Sequence, residues 1–232
     1  MGSDSASTYP LKEFLRRVFR FIFAVLSRLE VLGSENVPAE GGVLTVSNHL
    51  SYADPPLLFV TFPRHHEMIP LVADTYKKNP FFRWLVNNVG GVWINRGAGD
   101  LAAVKTSLAI LKENKILGMA PEGTRSKHTH ALQVGKTGAA FLASKSGVSI
   151  VPVGIIGTEK AWSELKRLRR PAITVIWGRA FTLPPLEGEN KSALLEHYTH
   201  EIMCQIAALL PEEYHGVYKG EARIKEIRET GK

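Results

Sequence analysis

Val43-Leu44-Thr45-Val46-Ser47-Asn48-His49-Leu50-Ser51-Tyr52-Ala53-Asp54-Pro55-Pro56 carries an apolar run of strand type into a polar loop that stops at two prolines. Pro55 disfavours helical backbone angles at Asp54 and itself suits the first position of a helix, so Asp54 reads as a helix N-cap. The order is therefore strand, His49, short turn, Asp54, helix. On one continuous helix, residues five apart would point about 140° away from each other at 3.6 residues per turn. A loop, not a helical face, has to bring His49 and Asp54 together. In such a loop the carboxylate can bond one imidazole nitrogen and leave the other free to take a proton.

The same alternation runs outward from this stretch. Apolar runs of strand type lie at 30–32, 43–46, 68–73, 92–94, 116–119, 150–156 and 173–177. Helical patterns lie at 56–61, 80–88, 100–112, 132–146 and 192–210. Strands alternating with helices predict one α/β domain with a mixed, largely parallel sheet flanked by helices. That domain is expected over residues 30–210, followed by a charged C-terminal appendix at 211–232, and no linker or internal repeat divides it.

Residues 11–29 precede the domain with apolar side chains at 11, 14, 15, 18, 19, 22, 25, 26 and 29, a close fit to helical period. Lys12, Arg16, Arg17, Arg20 and Arg28 supply cations, and Phe21 and Phe23 widen the apolar side. A basic amphipathic helix of this composition is suited to lying in a membrane interface; the alternative is a helix packed on the protein's own core. Segment 1–29 thus reads as a short polar tail plus a membrane-associating helix. No run reaches the 18–20 apolar residues of a membrane span. Ala6 breaks the myristoylation pattern, and the apolar run at 21–26 is short for a secretory signal.

A net charge of +7 favours anionic partners: phosphate-bearing molecules, anionic lipid or nucleic acid. The single cysteine, Cys204, rules out an internal disulfide and any cysteine-rich metal site, and its helical surroundings make it a small core residue.

Three further motifs lie downstream. Gly90-Gly91-Val92-Trp93-Ile94-Asn95-Arg96 puts an arginine at a strand end, and Ala120-Pro121-Glu122-Gly123-Thr124-Arg125-Ser126 puts another at the next. Ile150-Val151-Pro152-Val153 breaks a later strand with a proline. A guanidinium stays charged and bonds phosphate oxygens in a bidentate fork, so Arg96 and Arg125 point to a phosphate-bearing ligand. Gly123 lets backbone approach a ligand, and Glu122 is placed to bond a ligand hydroxyl or to orient Arg125. Lys136, in Gly135-Lys136-Thr137-Gly138 at an expected helix start, is a weaker phosphate candidate.

These four blocks, in this order and spanning about 48–152, resemble the glycerolipid acyltransferase family. The family pattern is Asn-His, four residues and Asp; a Gly-x-x-aromatic-Ile-x-Arg block; Pro-Glu-Gly-Thr-Arg-Ser; and a Val-Pro block. Ala120 departs from it, where the family usually has an aromatic residue, and this bears on pocket lining. The resemblance implies transfer of a fatty acyl group from acyl-CoA or acyl carrier protein to the hydroxyl of 1-acyl-glycerol-3-phosphate, giving phosphatidic acid. Glycerol-3-phosphate or another lysophospholipid would use the same motifs. It further implies that Asn48, Glu122, Gly123, Thr124 and Arg125 contact the acceptor. No tightly bound cofactor and no metal are expected, and the protein is expected at the cytoplasmic face of a membrane.

The residues themselves favour direct transfer. His49 is the base, Asp54 fixes its tautomer, and the acceptor's hydroxyl takes the place of a catalytic serine. No Gly-x-Ser-x-Gly elbow occurs, and Cys204 is badly placed for a nucleophile. Competing patterns carry less. Gly97-Ala98-Gly99-Asp100-Leu101-Ala102 fits a dinucleotide fingerprint between a strand and a helix, but Asn95 and Arg96 separate it from the strand. His65-His66-Glu67, His128 and His130 lack the company of further metal ligands. Nucleic-acid binding would need aromatic residues clustered on a basic strand face. A non-catalytic membrane-surface module would leave His49 and Asp54 without a role.

Overall fold

The computed structural model describes residues 5–64, 68–95, 100–126 and 128–230. Its centre is a seven-stranded sheet in the order β1-β7-β6-β2-β5-β3-β4. The strands are β1 (Arg28–Leu32), β2 (Val43–Ser47), β3 (Met68–Ala73), β4 (Val92–Ile94), β5 (Ile116–Met119), β6 (Ser149–Ile156) and β7 (Ala172–Trp177). The helices are α1 (Ser5–Leu26), α2 (Asp54–Thr61), α3 (Pro80–Asn88), α4 (Leu101–Lys112), α5 (Gly138–Ser146), α6 (Ala161–Lys166), α7 (Lys191–Ala208) and α8 (Ala222–Thr230).

Strands β2, β5 and β6 run parallel at the centre, with Val43 opposite both Ile116 and Ser149. Every residue of β2 is buried, as expected where helices cover both faces of a parallel sheet. Pleating sends alternate residues to opposite faces. Val43, Ile116, Val151 and Val153 meet α1 and α2 through Phe23, Leu57 and Phe59. Leu44, Leu117 and Ile150 meet Leu142, Ile202 and Met203 of α5 and α7 on the other face. Each such side chain, fully buried, contributes about 1.5–3 kcal/mol.

Strand β7 is antiparallel to β6, with Ile156 opposite Thr174, and β1 is parallel to β7, with Arg28 opposite Ala172. The starts of β7 and β1 therefore share one edge of the sheet with the ends of β2, β5 and β6. The loop bearing His49 and the loop bearing Glu122 both leave from that edge.

All seven strands fall where the sequence places them; helix boundaries move. Helix α1 stops at Leu26 because Ser27 turns back onto the Phe23 carbonyl and Arg28 N donates to Pro171 O, recruiting 28 and 29 into the sheet. Helix α5 starts at Gly138, not 132. Leu132 N donates to Tyr214 O, Gly135 N to Tyr218 Oη and Lys136 N to Pro121 O, which holds 132–136 in an irregular loop. Helix α6 had no clear periodic signal. The segment after Pro211 is no trailing appendix: Tyr214, His215, Tyr218 and Ile224 are buried against the core.

Helix α1 faces both ways. Leu15 and Phe23 are buried, whereas Phe14, Val18, Phe21 and Val25 stay exposed on another face, and Ile22 and Leu26 are also exposed. Among the described residues no helix is long and apolar enough to cross a membrane.

Candidate active site

His49 leaves the end of β2 and its Nδ1 lies 2.8 Å from Asp54 Oδ2. The same oxygen accepts from Leu50 N at 2.7 Å and Ser51 N at 2.8 Å, so the carboxylate closes the loop on itself. Its other oxygen accepts from Thr158 Oγ1 at 2.6 Å. Asp54 is the first residue of α2 and its carboxylate turns back to the loop. The expectation of an N-cap is thus corrected: three donors from the His loop outcompete the helix's own free N–H groups. With Nδ1 donating to Asp54, Nε2 is the basic nitrogen of His49, whose side chain is 18 % exposed and lines a cavity.

Beneath His49 lies Glu122, only 2 % exposed. Glu122 Oε1 accepts from His49 N at 3.2 Å, Oε2 accepts from Gln133 N at 2.9 Å, and Ser126 N donates to His49 O at 2.9 Å. This carboxyl group clips the two motif loops together, both its oxygens engaged by main-chain donors where the sequence suggested contact with the acceptor. Burial pushes its pKa up from 4.5 to about 7, the nearby Asp54 carboxylate adding to the rise while the hydrogen bonds oppose it. The local bonding is consistent with a proton there. Ser126 Oγ lies 2.5 Å from Ala131 O and 3.1 Å from Glu122 Oε2. A hydroxyl has one proton, so satisfying both contacts takes a second proton from Glu122.

Asn48 is likewise 2 % exposed, and both ends of its amide bond the Ile155 main chain at 2.8 Å. It fixes β2 to β6, each end of the amide making one bond to Ile155, where the sequence suggested contact with the acceptor. Gly123 adopts φ +69, and the Lys136 side chain crosses it so closely that an added Cβ would sit 3.1 Å from Lys136 Cδ. Gly123 and Lys136 both line the cavity beside His49. Thr124 is exposed beside them. The Arg125 guanidinium lies 3.5 Å above the Tyr52 ring, and Tyr52 lines the same cavity. Arg96, Gly97, Gly99, His65, His66 and Glu67 lie outside the described residues. Cys204 is buried in α7, where desolvation pushes its thiol up to about 12, the opposite of an activated nucleophile.

The cavity measures about 580 Å³ and runs from His49 between β3, α2 and α3. Phe59, Met68, Leu71, Val86 and Val89 give it an apolar wall, and Phe19 of α1 closes one side. Ala120 lines it too, so the departure from the family's aromatic residue leaves added room. Sequence reasoning missed Thr158, Tyr52 and Gln133. Thr158 is 104 residues from Asp54 in the chain, and nothing local links the two.

The family model described as Acyltransferase matches residues 28–156. A 1-acyl-sn-glycerol-3-phosphate acyltransferase of Borreliella burgdorferi is 29% identical over 133 residues, 56% of this chain and 52% of its own length. One from Chlamydomonas reinhardtii is 29% identical over 82% of this chain and 55% of its own. A probable 1-acyl-sn-glycerol-3-phosphate acyltransferase of Mycoplasma pneumoniae is 28% identical over 71% of this chain and 64% of its own. The chain therefore spans between about half and two thirds of the length of these relatives. The crystal structure of a 1-acyl-sn-glycerophosphate (LPA) acyltransferase from Thermotoga maritima shares the fold, with a TM-score of 0.66, 22% identity, and coverage of 90% of this chain and 82% of that one.

Proposed function

The chain belongs to the acyltransferase family, and from that premise we propose that it moves a fatty acyl group from a thioester to the free hydroxyl of a 1-acyl-sn-glycerol-3-phosphate, giving phosphatidic acid. The observation that carries this reading is the His49–Asp54 pair opening onto an apolar cavity lined by Lys136 and by Tyr52, on whose ring Arg125 rests.

His49 Nε2 takes the proton of the acceptor hydroxyl as its oxygen attacks the thioester carbonyl. Asp54 stabilises the imidazolium that results. Collapse of the tetrahedral intermediate expels the thiolate, and the proton on His49 Nε2 passes to sulfur. No acyl-enzyme forms. Lys136, Arg125 and Arg96 hold the acceptor phosphate, and the backbone at Gly123 and Thr124 lies beside Lys136 and Arg125. An acyl chain fills the apolar cavity, where it removes its own surface and the wall's from water. The thioester donor is acyl-CoA or acyl carrier protein.

Segment 1–29 works as a membrane-interface element. The exposed stripe of Phe14, Val18, Phe21, Ile22 and Val25 enters the acyl boundary, and Arg17 and Arg20 meet lipid phosphates. This fits a lipid acceptor and product, and makes the protein peripheral at the cytoplasmic face. The test is incubation with labelled acyl-CoA or acyl carrier protein and a panel of acceptors, identifying the acylated product. Labelled phosphatidic acid from the lysophosphatidic acid arm is the expected result; label on glycerol-3-phosphate or another lysophospholipid alone would reassign the acceptor.

A further inference from the structure

Helix α6 ends in a turn whose residue choice makes little sense for the free protein. Leu168 N donates to Leu165 O at 3.0 Å and Arg169 N to Glu164 O at 2.9 Å, the paired bonds that close a helix in a Schellman motif. The residue after the cap must then take a left-handed conformation, the position where glycine is favoured. Here it is Leu168, at φ 56. A leucine in that conformation is strained, and this one is 97 % exposed, so it gains no burial in return.

Its neighbours share the pattern. Trp162, also on α6, is 70 % exposed with Lys166 Nζ 5.4 Å from its ring centre. Lys160, Lys166, Arg167 and Arg169 are exposed around them. Two acidic groups offset part of this charge: Glu164 pairs with Arg167 at 3.5 Å, and Glu159, buried against Tyr214, pairs with Lys160 at 3.8 Å. Two large apolar tips ringed by more cations than carboxylates match an anionic lipid surface, where the tips enter the acyl boundary and the cations meet phosphates.

The position of this loop is fixed relative to both α1 and the catalytic edge. Arg170 Nη2 donates to Ala24 O at 2.6 Å and also to Ser27 O, locking the loop onto the C-terminal end of α1 beside exposed Val25 and Leu26. Because β7 is antiparallel to β6, the loop between them sits on the same sheet edge as His49. Thr158, which bonds Asp54, is only four residues before Trp162.

We infer that the loop from Trp162 to Arg170 is a second membrane contact, which inserts Leu168 and Trp162 into an anionic bilayer and, with α1, turns the catalytic edge toward it. The inference rests on the reading of α1 as a membrane-interface helix. One contact tethers the enzyme; two, tied together by Arg170, fix its orientation. A lipid acceptor then meets His49 without leaving the interface.

Leu168→Gly separates this from a structural role, because glycine relieves the strained position. The full chain is sedimented with vesicles of phosphatidylglycerol and phosphatidylcholine, and its thermal midpoint is measured alongside. Leu168→Gly should keep or raise the midpoint and weaken vesicle binding by about tenfold, an order expected for withdrawing one leucine from the interface. Arg167→Ser with Arg169→Ser should weaken binding and lessen its salt dependence. Brominated lipid should quench the wild type more than Trp162→Phe. Wild-type vesicle binding by Leu168→Gly, with Phe21→Asp losing it, would leave α1 as the sole anchor and overturn the inference. Failure of the wild type to bind any anionic vesicle would sink the reading of α1 and this one together. Impaired use of acyl carrier protein by Leu168→Gly with vesicle binding intact would overturn it in favour of a protein partner.

Discussion

Thr158 Oγ1 donates to Asp54 Oδ1 at 2.6 Å, joining the end of β6 to the carboxylate that orients His49. Both groups are almost wholly buried, so each depends on the other for its bond. Thr158→Val keeps the shape and removes the donor, leaving Oδ1 with only a 3.4 Å contact from Ser51 Oγ. A buried acceptor losing its partner costs about 1–3 kcal/mol. The expected result is a turnover lowered by roughly tenfold at little change in Michaelis constant, since one kcal/mol or so of orientation is lost at His49. Thr158→Ser should restore most of it. Steady-state kinetics of both variants check this, and equal loss in the serine variant would indicate packing instead.

His49→Ala should lower turnover by on the order of 10²–10⁴-fold, the usual worth of a general base. The fold should survive, because the bonds that close the loop run from the main chain of residues 50 and 51 to Asp54. Asp54→Asn is expected to be as damaging and less stable, since its carboxylate serves those main-chain donors as well as His49. Wild-type turnover by His49→Ala, measured on enzyme with an unchanged circular dichroism spectrum, would remove His49 from the chemistry.

Arg125→Ala, Lys136→Ala and Arg96→Ala should raise the Michaelis constant for a phosphate-bearing acceptor by tenfold or more. A charged hydrogen bond is worth roughly 1.5–3 kcal/mol. The constant for the thioester should move much less. Lys136 lies across Gly123 in the cavity wall, and Arg125 rests on Tyr52, another wall residue, so the first two substitutions remove cations already held in or against that wall. Equal changes for both substrates would assign these side chains to structure.

The strands and the His49–Asp54 pairing were legible because their signals are local: apolar runs, and the proline that follows Asp54 at the start of a helix. What stayed hidden depends on partners distant in sequence. Asn48 and Glu122 look like ligand contacts in a linear motif, and only the fold shows them folded inward onto Ile155 and onto His49 N. The start of α5 was misjudged because Tyr214 and Tyr218 hold residues 132–135 from more than 80 residues away. Burial of the C-terminal segment was missed for the same reason. Its charges are real, but Tyr214, Tyr218 and Ile224 between them carry the packing.

Glu122 gives the protein a pH response of its own. Its folded pKa of about 7 lies above the ordinary 4.5, because burial disfavours the charged form. The folded state thus binds this proton more tightly than the unfolded chain. The stabilisation is fully present below about pH 4.5, erodes as pH rises, and is gone above about pH 7. A shift of that size corresponds to about 3 kcal/mol. Glu122→Gln cannot ionise. It keeps an acceptor for His49 N, but its amide nitrogen makes a poor neighbour for Gln133 N, so it should be less stable than wild type at pH 4.5. Between pH 4.5 and 7.5 the difference should shrink or reverse, because only the wild type pays to bury a charge. Urea unfolding of both proteins at three pH values reads this directly, and taking their difference cancels every other titrating group. A difference that stays constant across the range would mean that Glu122 titrates as an ordinary surface carboxylate, and that the clip between the two motif loops is carried by its geometry alone.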